Sequence, residues 1–346
     1  MLRANAVSIS GVIDTNAYII GENPNKDVDI QGLFPITSIL NHSCTSNTIC
    51  YAQDNFTFAC RAVMNIKKGE EITTNYLHYH YHYFGLSYRH PELAEHWHFK
   101  CGCLRCRDYT EFGTMSDALV CTDCEEGRLG PLNLRADAEW VCGTCYASIP
   151  AEEVNKTLND SWDLIEDTPK FDVRALLEVL QRLLRSFDEN HYYPLEVKRR
   201  IIENIGETKG FEYEGLAEAW LEKKVNFCRD HLRVQRKVAP GLSEYRAYIS
   251  NHIAEPLYWL AKKQYLEKKC SSQDLTKTME EVAQHLLLVI QIWGPYRKRS
   301  TERLIAEKAK EFLEMVDEKY LHRHLGDTAD EVLVDNKLKV YRSINF

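Results

Sequence analysis

The sequence predicts an α+β protein made of unlike stretches in series, and three observations carry that prediction. Ten of the 12 cysteines lie between Cys44 and Cys145. Short β-type runs broken by glycine and polar residues dominate roughly the first hundred residues. Beyond residue 160, apolar residues recur at helical spacing along most of the chain. At 346 residues there is length for about two or three domains.

In the first stretch, Ala17–Ile20 is an apolar run closed by Gly21. The segments 56–60 and 71–76 have strand composition, with Lys67–Glu70 as a turn between them. His78, His80 and His82 alternate, so a strand there would place all three on one face. A straight row of imidazoles surrounds a single ion poorly, and an aromatic loop beside a binding groove is the favoured reading. The next stretch is acidic, with three basic against ten acidic residues over 111–160. The last stretch is helical. Asp172 is placed to cap a helix carrying Val173, Leu176, Leu180, Leu183 and Phe187. Further helices are expected over 195–205, 216–238, 244–268, 275–293 and 301–325, with Asp274 and Ser300 as caps. Pro256 should kink or split its helix. Long helices with short links predict stacked hairpins, loosely of tetratricopeptide type. The plainer alternative is a helical bundle.

Composition excludes several classes. The formal charge is −8, which disfavours a sequence-independent nucleic-acid binder, because phosphate contacts need clustered Lys and Arg. No basic region followed by an apolar run opens the chain, and no apolar stretch approaches the ~20 residues of a membrane span. A reducing compartment is therefore expected, and cysteines read first as thiols or metal ligands.

Cys121-x2-Cys124 and Cys142-x2-Cys145 are separated by 17 residues, the spacing of a four-cysteine zinc ribbon. Two knuckles supply four thiolates and leave no open position, so the role is structural. Cys101, Cys103 and Cys106 offer three more thiolates within six residues. Their fourth ligand comes from Cys44, His96, His98, Cys50 or Cys60, and spacing does not choose among these.

Three motifs in order carry a family resemblance. Residues 32–47 (GLFPITSILNHSCTSN) resemble the NHSC stretch of SET-domain lysine methyltransferases. Residues 69–76 (GEEITTNY) resemble the GEEI…Y motif of that family. Residues 99–106 (FKCGCLRC) resemble its post-SET cysteines. The following ribbon with Trp140, and the tail segments 192–198 and 232–241, resemble the SET-and-MYND subfamily, in particular its arthropod type. The resemblance runs from about Ile9 to Gly294.

It implies the following assignments. Residues 1–84 are the C-terminal part of a SET domain, 85–110 a post-SET zinc segment, 111–155 a zinc ribbon and 160–346 a helical domain. The activity implied is methylation of a protein lysine, in a histone tail or elsewhere, with S-adenosylmethionine as cofactor and two structural zinc ions. Asn16, Asn41, His42, Tyr76 and Phe99 become cofactor residues, Tyr76 the catalytic tyrosine, and Tyr18 and Trp97 the walls of the lysine channel. Cys44 becomes the fourth ligand of the post-SET zinc. The family places nucleus or cytoplasm as the location.

Two departures stand out. A complete member has earlier SET strands with a GxG loop and a MYND finger before this point, so the chain resembles a member truncated at its N-terminus. Trp97 stands where the family often has tyrosine, so one channel hydroxyl is missing. The competing expectation is a non-catalytic, zinc-containing SET relative that binds basic peptides or protein partners in a groove between the SET part and the helices.

Overall fold

A computed structural model describes residues 10–21, 30–133, 135 and 137–321. Predictions that fall on other residues, including the end of the helix expected over 301–325, lie outside the described residues. The fold is α+β, as the sequence predicts, with no cis peptide bonds among the described residues.

Helix α1 (residues 10–16) leads into strand β1 (Ala17–Gly21), which pairs antiparallel with β2 (Ile30–Leu33). Strand β3 (Asn41–His42) runs parallel to β6 (Thr73–Thr74). Strands β4 (Thr48–Ala52) and β5 (Phe58–Ala62) form a separate antiparallel ribbon. The strand expected over 56–60 therefore begins two residues later, after a 3-10 turn whose Asn55 and Phe56 take positive φ. The strand expected over 71–76 shrinks to two residues. Asn47 explains part of this. Its side chain accepts from Thr73 N at 2.9 Å and donates to the Glu71 carbonyl at 2.8 Å, replacing a strand neighbour.

Residues 79–81 form a 3-10 turn rather than a strand. His78, His80 and His82 are consequently not aligned in a row along a strand. His78 accepts from His80 N, and His82 is buried against the Leu77 carbonyl. Helix α2 (Leu86–Trp97), unexpected from the sequence, carries Pro91 inside it. Gly85 opens this helix with no capping side chain of its own. Asp117 caps it from 30 residues away, accepting from Ser87 N at 3.0 Å and Ser87 Oγ at 2.5 Å. A Cβ on Gly85 would lie 2.2 Å from the Asp117 carboxylate.

The short helix α3 (Leu104–Arg107) follows, then a four-stranded antiparallel ribbon: β7 (Leu119–Val120), β8 (Arg128–Pro131), β9 (Trp140–Cys142) and β10 (Ser148–Ile149). Helix α4 (Ala151–Asp167) starts at the end of β10, so residues 151–155 belong to a helix rather than to the ribbon as expected. The remaining helices are α5 (Val173–Leu183), α6 (Tyr192–Asn204), α7 (Glu218–Val238), α8 (Glu244–Leu266), α9 (Ser272–Trp293) and α10 (Thr301–Val316). Asp172 caps α5 and Ser300 caps α10 as expected. Asp274 does not cap α9. Ser271 does, with Asp274 three residues on closing a capping box. Helix α8 runs unsplit through Pro256. Successive helices from α7 to α10 pack on one another across short links, giving one large apolar core. No described helix is long and apolar enough to cross a membrane.

The β4–β5 ribbon is attached to this helical array by main-chain bonds. Leu242 N donates to the Val63 carbonyl at 3.2 Å and Arg297 N to the Ala52 carbonyl at 2.9 Å. Arg61 reaches the Gln291 carbonyl at 2.9 Å, and the Tyr51 and Tyr296 rings stack at 4.4 Å.

Candidate functional site

Two groups of four cysteines have their sulfurs within 4.8 Å of one another: Cys44, Cys101, Cys103 and Cys106, and Cys121, Cys124, Cys142 and Cys145. A tetrahedron of Zn–S bonds of about 2.3 Å puts its sulfurs about 3.8 Å apart. The observed separations include 3.9 Å for Cys44–Cys101, 3.5 Å for Cys44–Cys106, 3.6 Å for Cys121–Cys145 and 3.8 Å for Cys124–Cys142. These are far too long for disulfides and fit zinc. The geometry also selects Cys44 from the five candidate fourth ligands.

The surroundings fit thiolates. In the ribbon, Gly127 N donates to Cys124 Sγ at 3.3 Å and Thr144 N to Cys142 Sγ at 3.4 Å. A Cβ at Gly127 would stand 2.2 Å from Cys142 Sγ, so only glycine leaves room there. At the first group, the wholly buried Arg89 donates to Cys44 Sγ at 3.3 Å and to Cys106 Sγ at 3.5 Å. Its other nitrogen meets the Glu111 carboxylate at 2.8 Å, and Arg105 meets the same carboxylate at 2.6 Å. Two buried guanidiniums against one carboxylate leave a surplus positive charge. A zinc ion with four thiolates carries about −2 and supplies the missing partner. Sequence reasoning missed Arg89 and Glu111. Arg105, lying inside the cysteine run, was the visible signal.

The first cysteine group anchors the residues of the NHSC and GEEI…Y motifs. His42 uses both ring nitrogens: Nδ1 accepts from Tyr76 N at 3.0 Å, and Nε2 lies 3.2 Å from Cys44 Sγ. A ring accepting at Nδ1 carries its proton on Nε2, which therefore points at the sulfur. Tyr76 donates its hydroxyl to the Leu40 carbonyl at 2.6 Å. Burial raises its pKa, so the phenol stays neutral. Its ring is 5.3 Å from His42, 5.5 Å from Trp97 and 6.2 Å from Phe99. Phe99 is half-buried beside His42 at 5.8 Å. Asn41 is exposed, its amide donating to Glu71 at 2.6 Å.

Asn16 falls at the end of α1, one residue before β1, and its amide donates to the Val12 carbonyl. Tyr18 in β1 packs between Phe34 and Phe58, at 6.4 and 4.6 Å, with its hydroxyl on the Thr37 carbonyl.

A cleft of about 630 Å³ separates this region from the helices. Asn16, Tyr18, Tyr76 and Trp97 line one side, and Glu244, Tyr296 and Glu302 the other. Asn41, His42 and Phe99 stand outside it. Tyr76 is thus the residue that touches both groups. Glu244, held by Tyr296 at 2.5 Å, has its pKa pushed up to about 7 by burial and by Glu302.

Residues 8–77 match the SET domain family. Among relatives, the Drosophila melanogaster SET domain-containing protein SmydA-8, isoform A, is 34% identical over 221 residues, covering 55% of this chain and 46% of that protein. The Arabidopsis thaliana histone-lysine N-methyltransferase ASHR1 is 26% identical over 239 residues, covering 65% and 46%. The mouse histone-lysine N-methyltransferase SMYD3 is 30% identical over 139 residues, covering 39% and 31%. The chain is thus similar to SmydA-8 and to SET-and-MYND lysine methyltransferases, and it spans about half the length of the curated relatives it matches.

Proposed function

We propose that this chain methylates a lysine side chain of a protein, using S-adenosylmethionine. The observation that carries the reading is the position of Tyr76, in ring contact with His42 and Phe99 outside the cleft and with Trp97 at its wall. The exposed Asn41 amide and the half-buried rings of His42 and Phe99 fit the polar and adenine parts of the cofactor. With both ring nitrogens of His42 engaged, that residue would contribute its backbone and ring face. Asn16, at the head of the cleft, would complete the contact. When bound, the cofactor supplies an electrophilic methyl on a sulfonium.

The chain's own residues would do the rest. Tyr18, Tyr76 and Trp97 enclose a lysine side chain in aromatic surface, and desolvation there favours the neutral amine. The Tyr76 proton is committed to the Leu40 carbonyl, which leaves the phenol oxygen free to accept from the amine and aim its lone pair. Alignment of this kind is worth about 7–11 kcal/mol in the best cases. Tyr76 needs no role as a base. The acidic segment 111–160 suits a basic peptide such as a histone tail, and the working location would be nucleus or cytoplasm.

The test is calorimetric titration of S-adenosylmethionine into the zinc-loaded chain, followed by methyl transfer to lysine peptides. Saturable heat lost in Asn41→Ala, together with transfer lost in Tyr76→Phe, supports the reading. No heat from a folded, zinc-bearing protein overturns it and leaves a non-catalytic peptide-binding protein.

A further inference from the structure

The β4–β5 ribbon carries two cysteines that neither sulfur cluster uses. Cys50 and Cys60 are direct partners across the ladder. The type of pairing follows from the hydrogen bonds at the two ends of the ribbon. Val63 N donates to the Asn47 carbonyl at 2.9 Å, and Gln53 N to the Thr57 carbonyl at 2.8 Å. Hydrogen-bonded pairs in an antiparallel ladder recur at every second residue. The pairs 47/63, 49/61, 51/59 and 53/57 are therefore the bonded ones, and 50/60 is a non-hydrogen-bonded pair. Such pairs have Cα atoms about 4.5 Å apart and bring their side chains closest. A disulfide spans Cα separations of about 4.4–6.8 Å. These two sulfurs can be bridged without moving either strand.

Access and reactivity point the same way. Cys60 is exposed, and Cys50 is half-buried on the cleft wall. The neighbouring Cys50 thiol pulls Cys60 down to about 6, while Cys60 and burial push Cys50 up. An exposed thiol with thiolate character beside a second thiol is the arrangement of a peroxide-sensitive pair. The site faces Tyr18, whose ring packs on Phe58 two residues before Cys60.

We propose that Cys50 and Cys60 form a reversible oxidation site, closed by hydrogen peroxide to a cross-strand disulfide in the cleft wall. The Cys60 thiolate attacks a peroxide oxygen. The O–O bond breaks, and hydroxide leaves to be protonated to water. The Cys60 sulfenic acid is then attacked by the Cys50 sulfur. An S–S bond forms, the S–O bond breaks, and hydroxide leaves with the Cys50 proton as a second water. Two thiols are oxidised by two electrons and one peroxide is reduced to two waters. A dithiol reductant reverses the step. The proposal is independent of whether the chain transfers methyl groups.

The experiment treats the zinc-loaded chain with stoichiometric hydrogen peroxide while a chromogenic chelator reports zinc release. Alkylation and chymotryptic digestion follow, which cuts between the two cysteines at Tyr51 and Phe58. The expected result is a linked Cys50–Cys60 peptide, a several-fold fall in alkylation of both residues, and recovery with dithiothreitol. Cys60→Ser removes the link. Cys50→Ser removes it too, but leaves Cys60 trapped by dimedone as a sulfenic acid. Zinc release before the link forms, or persistent alkylation of both thiols with zinc retained, overturns the proposal.

Discussion

His42 holds Tyr76 by its backbone: the Tyr76 N–H donates to His42 Nδ1 at 3.0 Å, while the opposite face of the same imidazole looks onto Cys44 Sγ at 3.2 Å. The tyrosine is thereby tied to the sulfur cluster through one ring. His42→Phe keeps an aromatic of similar size and loses both bonds. A neutral hydrogen bond is worth about 1 kcal/mol and one to a charged group about 1.5–3 kcal/mol. Metal analysis should still find zinc at the first group, whereas S-adenosylmethionine affinity should fall about tenfold or more, a loss of at least about 1.4 kcal/mol.

Glu111→Gln should be among the most damaging single substitutions in the chain. It leaves Arg89 and Arg105, both wholly buried, without their shared carboxylate. Breaking a buried ion pair from one side costs about 3–5 kcal/mol. Urea unfolding should show a midpoint well below that of the parent. Replacing the exposed pair partner Asp137, which meets Arg135 at 2.8 Å with both side chains more than 70% exposed, should leave the midpoint unchanged.

Metal analysis of the intact chain should return two zinc ions, one for each cysteine group. Cys142→Ser should remove only the ribbon zinc, and Cys44→Ser only the other. The second variant should also release the His42–Tyr76 pair. Loss of S-adenosylmethionine binding in Cys44→Ser but not in Cys142→Ser is the expected split.

Asp117 gives the stability a defined pH dependence. Burial raises its pKa from 3.8 to about 6, with Glu111 adding to the effect. The folded state therefore keeps a proton that the unfolded state has released. Between pH 3.8 and about 6 the stability contributed at this site falls as pH rises, by about 1.4 kcal/mol per unit, and it is level above that. Asp117→Asn removes the linkage. The stability difference between parent and variant should narrow from pH 5 to 6 and hold constant from 7 to 8, as read by denaturant unfolding.

Much of this was legible in the sequence because it depends on local spacing. The CxxC knuckles, the helical periodicity after residue 160 and the caps Asp172 and Ser300 need only near neighbours. What was not legible depends on distant partners. The strand expected over 71–76 is short because Asn47, far back in the chain, takes its backbone groups. Helix α2 is capped by Asp117 rather than by anything beside it. Arg89 and Glu111 become part of the site only after Cys44 and Cys106 are brought together. The aromatic loop expected around the three alternating histidines is a turn that His78 closes by accepting from His80 N.

The main-chain bonds that fasten the β4–β5 ribbon to the helices also set a timetable for synthesis. Ala52 waits for Arg297, which is 245 residues later in the chain. At about 5–20 residues per second, a ribosome needs roughly 12–50 s to make that stretch. Through that interval the ribbon is made, without its seat, and open to pairing with the wrong strand. A chaperone that shields extended segments, or a codon pattern that shortens the wait, would raise the yield of folded protein without altering the finished molecule.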